Sequence, residues 1–97
     1  MKTLKEIRDI IEQYKEEIGR EYNAEIVAVF GSYIRGEQTE KSDVDLIVRF
    51  KEGATLFDFV GLAEFLEEKL NVKVDIVSES AIREELREKI LKEAVII

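Results

Sequence analysis

The alternation in DVDLIVRF, residues 43–50, constrains this chain more than any other segment. Successive side chains of a strand point to opposite faces, so Val44, Leu46, Val48 and Phe50 share one side, while Asp43, Asp45, Ile47 and Arg49 share the other. The run VKVDIV repeats the pattern, with Val72, Val74 and Ile76 on one side and Lys73, Asp75 and Val77 on the other. If helices cover the apolar side of one sheet, Asp43, Asp45 and Asp75 all emerge on its open side. Adjacent strands lie about 4.8 Å apart, so Asp75 is placed to reach a cation held by the other two. Two carboxylates on one short segment repel each other and cost free energy unless such a cation sits between them.

The rest of the chain supplies the helices. Thr3 and Glu6 have capping-box spacing, and Leu4, Ile7, Ile10, Ile11, Tyr14 and Ile18 follow at helical intervals, which predicts one amphipathic helix to about Gly19 or Arg20. AEIVAVF, rich in β-branched residues and closed by Gly31, reads as a buried strand. Thr55 and Asp58 repeat the cap spacing ahead of LFDFVGLAEFLEEKL, and Asn71 ends that helix. Its core stripe is read as Leu56, Phe59, Val60, Ala63, Leu66 and Leu70, with Phe57, Leu62 and Phe65 widening the apolar surface into either a deeper core or a partner-binding patch. Ser80 is expected to cap a last helix with Ile82, Leu86, Ile90 and Ala94 on one face, followed by the apolar tail Val95-Ile96-Ile97. The order is α-β-β-α-β-α, a mixed α/β (α+β) fold. A chain of 97 residues with no linker or repeat is expected to form one domain over residues 1–97.

Composition removes several chemistries. There is no Cys and no His, so disulfides, thiolate or imidazole metal sites and Ser-His triads are all excluded. The 15 Lys and Arg against 22 Asp and Glu give a net charge of −7, which opposes direct nucleic-acid binding because few counterions can be released. No apolar run approaches the about 20 residues needed to span a bilayer, and a cytoplasmic protein is expected. The high content of Glu, Lys and Ile leans toward a thermophilic source.

The chemistry that suits three same-face carboxylates is metal-assisted phosphoryl or nucleotidyl transfer, in which hard cations about 3.5–4 Å apart stabilise the entering and leaving oxygens. Mg²⁺ favours carboxylates and substrate phosphates. Gly31 and Ser32 follow a strand and precede YIRG, where backbone N–H groups of a short turn can face a triphosphate and the missing Cβ permits close approach. Each element alone has an ordinary explanation: Asp-x-Asp is commonly a solvated strand end, Gly31-Ser32 a turn, Arg35 a surface residue, Gly36 a helix stop, and Asp75 a charge on a sheet edge. A calcium loop starting at Asp43 is ruled out because its glycine and glutamate positions fall on Val48 and Ala54. It is the convergence of turn, paired acids and third acid on one face that points to a site.

The string Gly31-Ser32, Arg35-Gly36 and Ser42-Asp43-Val44-Asp45-Leu46 resembles the signature of the DNA polymerase β nucleotidyltransferase superfamily, and of its smallest members, the minimal nucleotidyltransferases. The likeness spans nearly the whole chain. It implies a small mixed sheet with helices packed on one face and the active site on the open face. By this resemblance Asp43, Asp45 and Asp75 would be catalytic and would ligate Mg²⁺ in a two-metal site, Gly31 and Ser32 would hold the phosphates of ATP, and Arg35 would contact phosphate or protein. Family members of this kind are commonly encoded beside a HEPN-domain ribonuclease toxin and act as its antitoxin, some by transferring AMP from ATP to a toxin tyrosine. The expectation is a protein adenylyltransferase of this type, in a homo- or hetero-oligomer. The rival expectation is an antitoxin that neutralises by docking alone. Transfer to a small molecule such as an aminoglycoside ranks last, since the chain has no acceptor-binding lobe.

Overall fold

The computed structural model describes residues 2–31, 36 and 43–97. The first helix, α1 (Leu4–Gln13), opens with the capping box that its spacing predicts: the Thr3 hydroxyl accepts from the Glu6 N–H, and the Glu6 carboxylate accepts from the Thr3 N–H, both at 3.2 Å. The single long helix expected here is instead two. At Tyr14 (φ −103°, ψ 10°) the N–H is shared between the Ile10 and Ile11 carbonyls at 3.2 Å each, and the chain resumes as α2 (Lys15–Tyr22). No Gly or Pro marks the break, so periodicity carries straight across it, and Ile7, Ile11 and Ile18 still enter one core. Asn23 ends α2 in the left-handed region at φ 52°.

The sheet has the strand order β3-β2-β1-β4. Strands β1 (Ala24–Phe30) and β2 (Val44–Phe50) pair antiparallel, with a register shift between Ile26 and Ala28. The extra residue reverses the parity of β1, so Ala24, Ile26 and Val29 all face the main core while Ala28 turns to the other side, opposite Ile47. Strand β3 (Val74–Ser78) runs parallel to β2 and is reached through helix α3 (Leu56–Leu70), the kind of crossover that parallel pairing requires. The tail read as merely apolar is a fourth strand, β4 (Val95–Ile96), antiparallel to β1, and the Ile97 N–H donates to the Val27 carbonyl at 2.9 Å.

Helices α1, α2 and α3 cover the predicted apolar side, where Val44, Leu46, Val48 and Ile76 meet Ile7, Ile18, Leu62 and Leu66. On α3 the buried residues are Leu62, Phe65, Leu66 and Leu70, with Phe59 and Ala63 partly buried, whereas Leu56 and Val60 of the expected stripe are exposed. The aromatic rings at the two ends of α2 explain the rotation: Tyr14 and Tyr22 hold Phe65 at centroid distances of 5.5 and 5.3 Å and draw it into the core.

Helix α4 (Glu84–Glu93) starts later than expected. Ser80 lies in a 3₁₀ turn over Glu79–Ala81, Arg83 occupies the cap position, and Leu86 is half exposed. The helix buries no residue fully. It is tied to the opposite face of the sheet by charge: Glu79 accepts from Arg87 at 2.6 Å and from Arg49 at 2.9 Å, and Arg49 shares its side of β2 with Asp45. The hydrogen bond from Arg49 holds the Glu79 carboxyl below its ordinary range; the charges of both guanidiniums add to this, against the opposing pull of burial. Among the described residues, no helix is long and apolar enough to cross a membrane.

Candidate active site

The site candidates gather where β1 ends and β2 and β3 begin. The Val44 N–H donates to the Lys73 carbonyl at 2.9 Å, and the Val74 N–H donates to the Glu67 carboxylate of α3 at 3.0 Å, which together fix the start of β3 against β2. The resulting parallel register sets Val44 beside Val74 and Asp45 beside Asp75. Register partners point to the same side, and their apolar neighbours Val44, Leu46 and Ile76 are buried in the helix-covered core, so both carboxylates stand on the opposite face. Asp43, one pleat before Asp45, is exposed, as is Asp75; Asp45 is partly buried.

On the other flank, β1 delivers Phe30 opposite Asp45 and then turns at Gly31, which has φ +82°. A Cβ built on Gly31 would overlap the Asp45 carboxylate. Only glycine combines that dihedral with that proximity, so the backbone at the turn lies directly against the acid. The positive φ favours glycine here, and any side chain would in addition displace the tip of the Asp45 carboxylate. Of the other residues singled out in the sequence, Ser32, Arg35 and Ser42 lie outside the described residues. Gly36 has φ +70°, as suits a turn.

The donor set fits a hard divalent cation: oxygen ligands on adjacent strands beside a backbone turn free of side chain. Among the described residues, however, no group of three or more carboxylates is drawn tightly enough around one point to hold an ion by itself. Mg²⁺ is usually held by one or two protein carboxylates together with substrate phosphates and waters rather than by a complete protein cage. The strands fix which acids face one another, and nucleotide phosphates would complete the ligand shell.

Sequence reasoning missed the Arg49–Glu79–Arg87 cluster on this same face. The signal was present, because the alternation that places Asp75 also places Glu79 two pairs further along the same side, level with Arg49 on the neighbouring strand. It is a structural fastening for α4, separated from Asp45 by the Ile47 pleat.

An open mixed sheet that brings an Asp-x-Asp strand against a glycine turn, with a third acid on the parallel neighbour, is the frame of a nucleotidyltransferase. Residues 4–97 match the nucleotidyltransferase domain model, and the chain belongs to that family. It is similar to the protein adenylyltransferase MntA of Thermococcus cleftensis, with 39% identity over 97 residues that span 100% of this chain and 98% of that protein. Among solved structures, it superposes on a provisionally named minimal nucleotidyltransferase with a TM-score of 0.80 and 44% identity, covering 97% of this chain and 95% of the other. The fold is also that of a chain in the complex of a tri-AMPylated Shewanella oneidensis HEPN toxin with an MNT antitoxin, at a TM-score of 0.62 and 17% identity, covering 93% of this chain and 70% of that one.

Proposed function

We propose that this enzyme is a Mg²⁺-dependent protein adenylyltransferase of the cytoplasm that acts as an antitoxin, transferring AMP from ATP to a tyrosine hydroxyl of a HEPN toxin. The observation that carries the reading is the level pairing of Asp45 with Asp75 beside the Gly31 turn. The likeness to MntA supports a protein acceptor, and the toxin complex on the same fold supports its class.

In this reading Gly31, Ser32 and Arg35 would hold the triphosphate, and Asp43, Asp45 and Asp75 would hold the metal. Magnesium, when bound, neutralises phosphate charge and favours the ionised acceptor oxygen. The tyrosine oxygen attacks the α-phosphorus and forms a new O–P bond. The bond from the α-phosphorus to the oxygen bridging it to the β-phosphorus breaks, and pyrophosphate departs. With no histidine in the chain, the Asp75 carboxylate is the group that takes the hydroxyl proton.

The test is incubation with the cognate HEPN toxin and ATP labelled at either the α- or the γ-phosphate. Label retained from the α position only, mapped to a tyrosine by mass spectrometry and lost in Asp45→Asn, is the expected result. Toxin neutralised equally well by wild type and Asp45→Asn, with no label, would make the chain a docking antitoxin instead.

A further inference from the structure

Among the described residues, three of the five large apolar side chains left exposed lie together, the other two being Leu86 and Ile96. Leu56 is 76% exposed, Phe57 89% and Val60 47%, on adjacent turns at the start of α3. Apolar residues scattered singly over a surface need no explanation, but a contiguous patch of this kind marks an interaction site. The capping box of Thr55 and Asp58 holds the turn that displays them: the Thr55 N–H donates to the Asp58 carboxylate at 2.9 Å, and the Asn23 amide donates to the same carboxylate at 3.3 Å. The anchors are thus presented on a fixed turn, which lowers the entropy lost on binding.

The border of the patch is acidic. Glu64 lies one turn beyond Val60, and Glu68 one turn further. Tyr22 of α2 crosses α3 at Gly61, where an added Cβ would come within 3.0 Å of its ring. It brings Glu17 and Glu21 to the same flank, and after burial the charges of these four glutamates are what push the Tyr22 phenol up. Arg20 pairs with Glu21 at 3.2 Å and Lys69 lies 4.0 Å from Glu68. Among the described residues, no cation is within ion-pair distance of Glu17 or Glu64.

We propose that the first two turns of α3 are the docking surface for the toxin, with Phe57 and its neighbours seated in an apolar pocket whose rim carries Lys and Arg. The inference rests on the reading of this chain as the antitoxin of a HEPN toxin. Charge complementarity selects the occupant: the acidic border formed by Glu17, Glu21, Glu64 and Glu68 calls for a partner whose facing rim is basic. A second copy of this chain does not fit. A two-fold contact would set the acidic border against itself. A heterologous partner can instead combine a small apolar centre with a charged rim. The location also suits a protein substrate, since α3 starts beyond Phe50, at the far end of β2 from Asp45, and docking there leaves the carboxylate end open to the acceptor hydroxyl.

The experiment is calorimetric titration of the cognate HEPN toxin into wild type, Phe57→Ser with Val60→Ser, Glu64→Lys and the control Leu86→Ser, whose side chain is as exposed as Val60 but lies on α4. The double variant is expected to bind about thirtyfold or more weakly, as for a truncated hot spot, with its circular dichroism and its thermal shift by Mg-ATP unchanged. Glu64→Lys is expected to bind more weakly and with less dependence on salt, and Leu86→Ser to bind as wild type does. Equal toxin affinity in wild type and the double variant overturns the docking surface, and α-phosphate label still reaching the toxin would leave the proposed activity standing. A wild-type dimer in sedimentation that dissociates in the double variant, with toxin binding unaffected, overturns it in favour of self-association. Failure of wild type both to bind and to label the toxin overturns the activity, and the surface with it.

Discussion

The two faces of this one sheet are put to different uses. On the helix side, Val44, Leu46, Val48 and Ile76 are buried against α1, α2 and α3. On the other side, the same strands carry Asp45, Asp75 and Arg49, with Glu79 in the turn after β3, covered in part by a helix that buries no side chain fully. Hydrophobic burial scales with apolar area removed from water, so the first face carries most of the folding free energy. The second sets Asp45 level with Asp75 and carries the ion pair of Arg49 with Glu79. Stability and chemistry are thus separated by the thickness of a strand, and substitutions at neighbouring positions should report on different properties.

The strongest challenge to that separation is Asp75→Asn. Transfer should fall by about 10²- to 10⁴-fold, the usual cost of losing a general base, while thermal stability and Mg-ATP affinity stay close to wild type. Full transfer by this variant, measured as AMP incorporation alongside calorimetry, would mean that Asp75 is only a surface charge. One residue along on the same strand, Ile76 points the other way into the core, and Leu66 of that core gives the converse test. Leu66→Ala should cost about 2–5 kcal/mol in urea unfolding, as large-to-small core changes do, yet leave the turnover of the remaining folded protein unaltered. A specific loss of turnover in folded Leu66→Ala protein would show that the faces are coupled.

The smallest effect concerns the fastening of α4. Because Glu79 has a lowered folded-state pKa, its contribution to stability is fully present above the ordinary carboxylate range and disappears as pH falls through the folded value. Wild type should therefore lose part of its advantage over Glu79→Gln in thermal melts as pH falls below the ordinary carboxylate range. Identical acid profiles for the two proteins would leave α4 held by other means.

The carboxylate face was legible because strand parity is local and strict: Asp43, Asp45 and Asp75 follow from counting by two. Both capping boxes and the left-handed Asn71 were equally local. What escaped depended on partners distant in the chain. The break at Tyr14 carries no sequence breaker, and the bulge at Val27 is visible only once β2 and the end of the chain are laid beside β1. Helix α3 offered two apolar faces, and the choice between them was made by Tyr14 and Tyr22, which lie more than thirty residues upstream of the helix start. Val95-Ile96 was too short a segment to declare itself a strand without β1.

The parallel join between β2 and β3 also governs when in its folding the chain becomes competent. An antiparallel hairpin closes locally, but Asp45 and Asp75 are separated by about thirty residues, and the loop between them must be closed before that pairing gains anything. During synthesis Asp43 and Asp45 leave the ribosome well before Asp75, and β1 with β2 can pair without it. A nascent or partly folded chain therefore carries the recognisable motif but an incomplete site, and α3 must be seated before the third acid is in place. On the role proposed for Asp75, such a chain would hold nucleotide without the group that takes the acceptor proton.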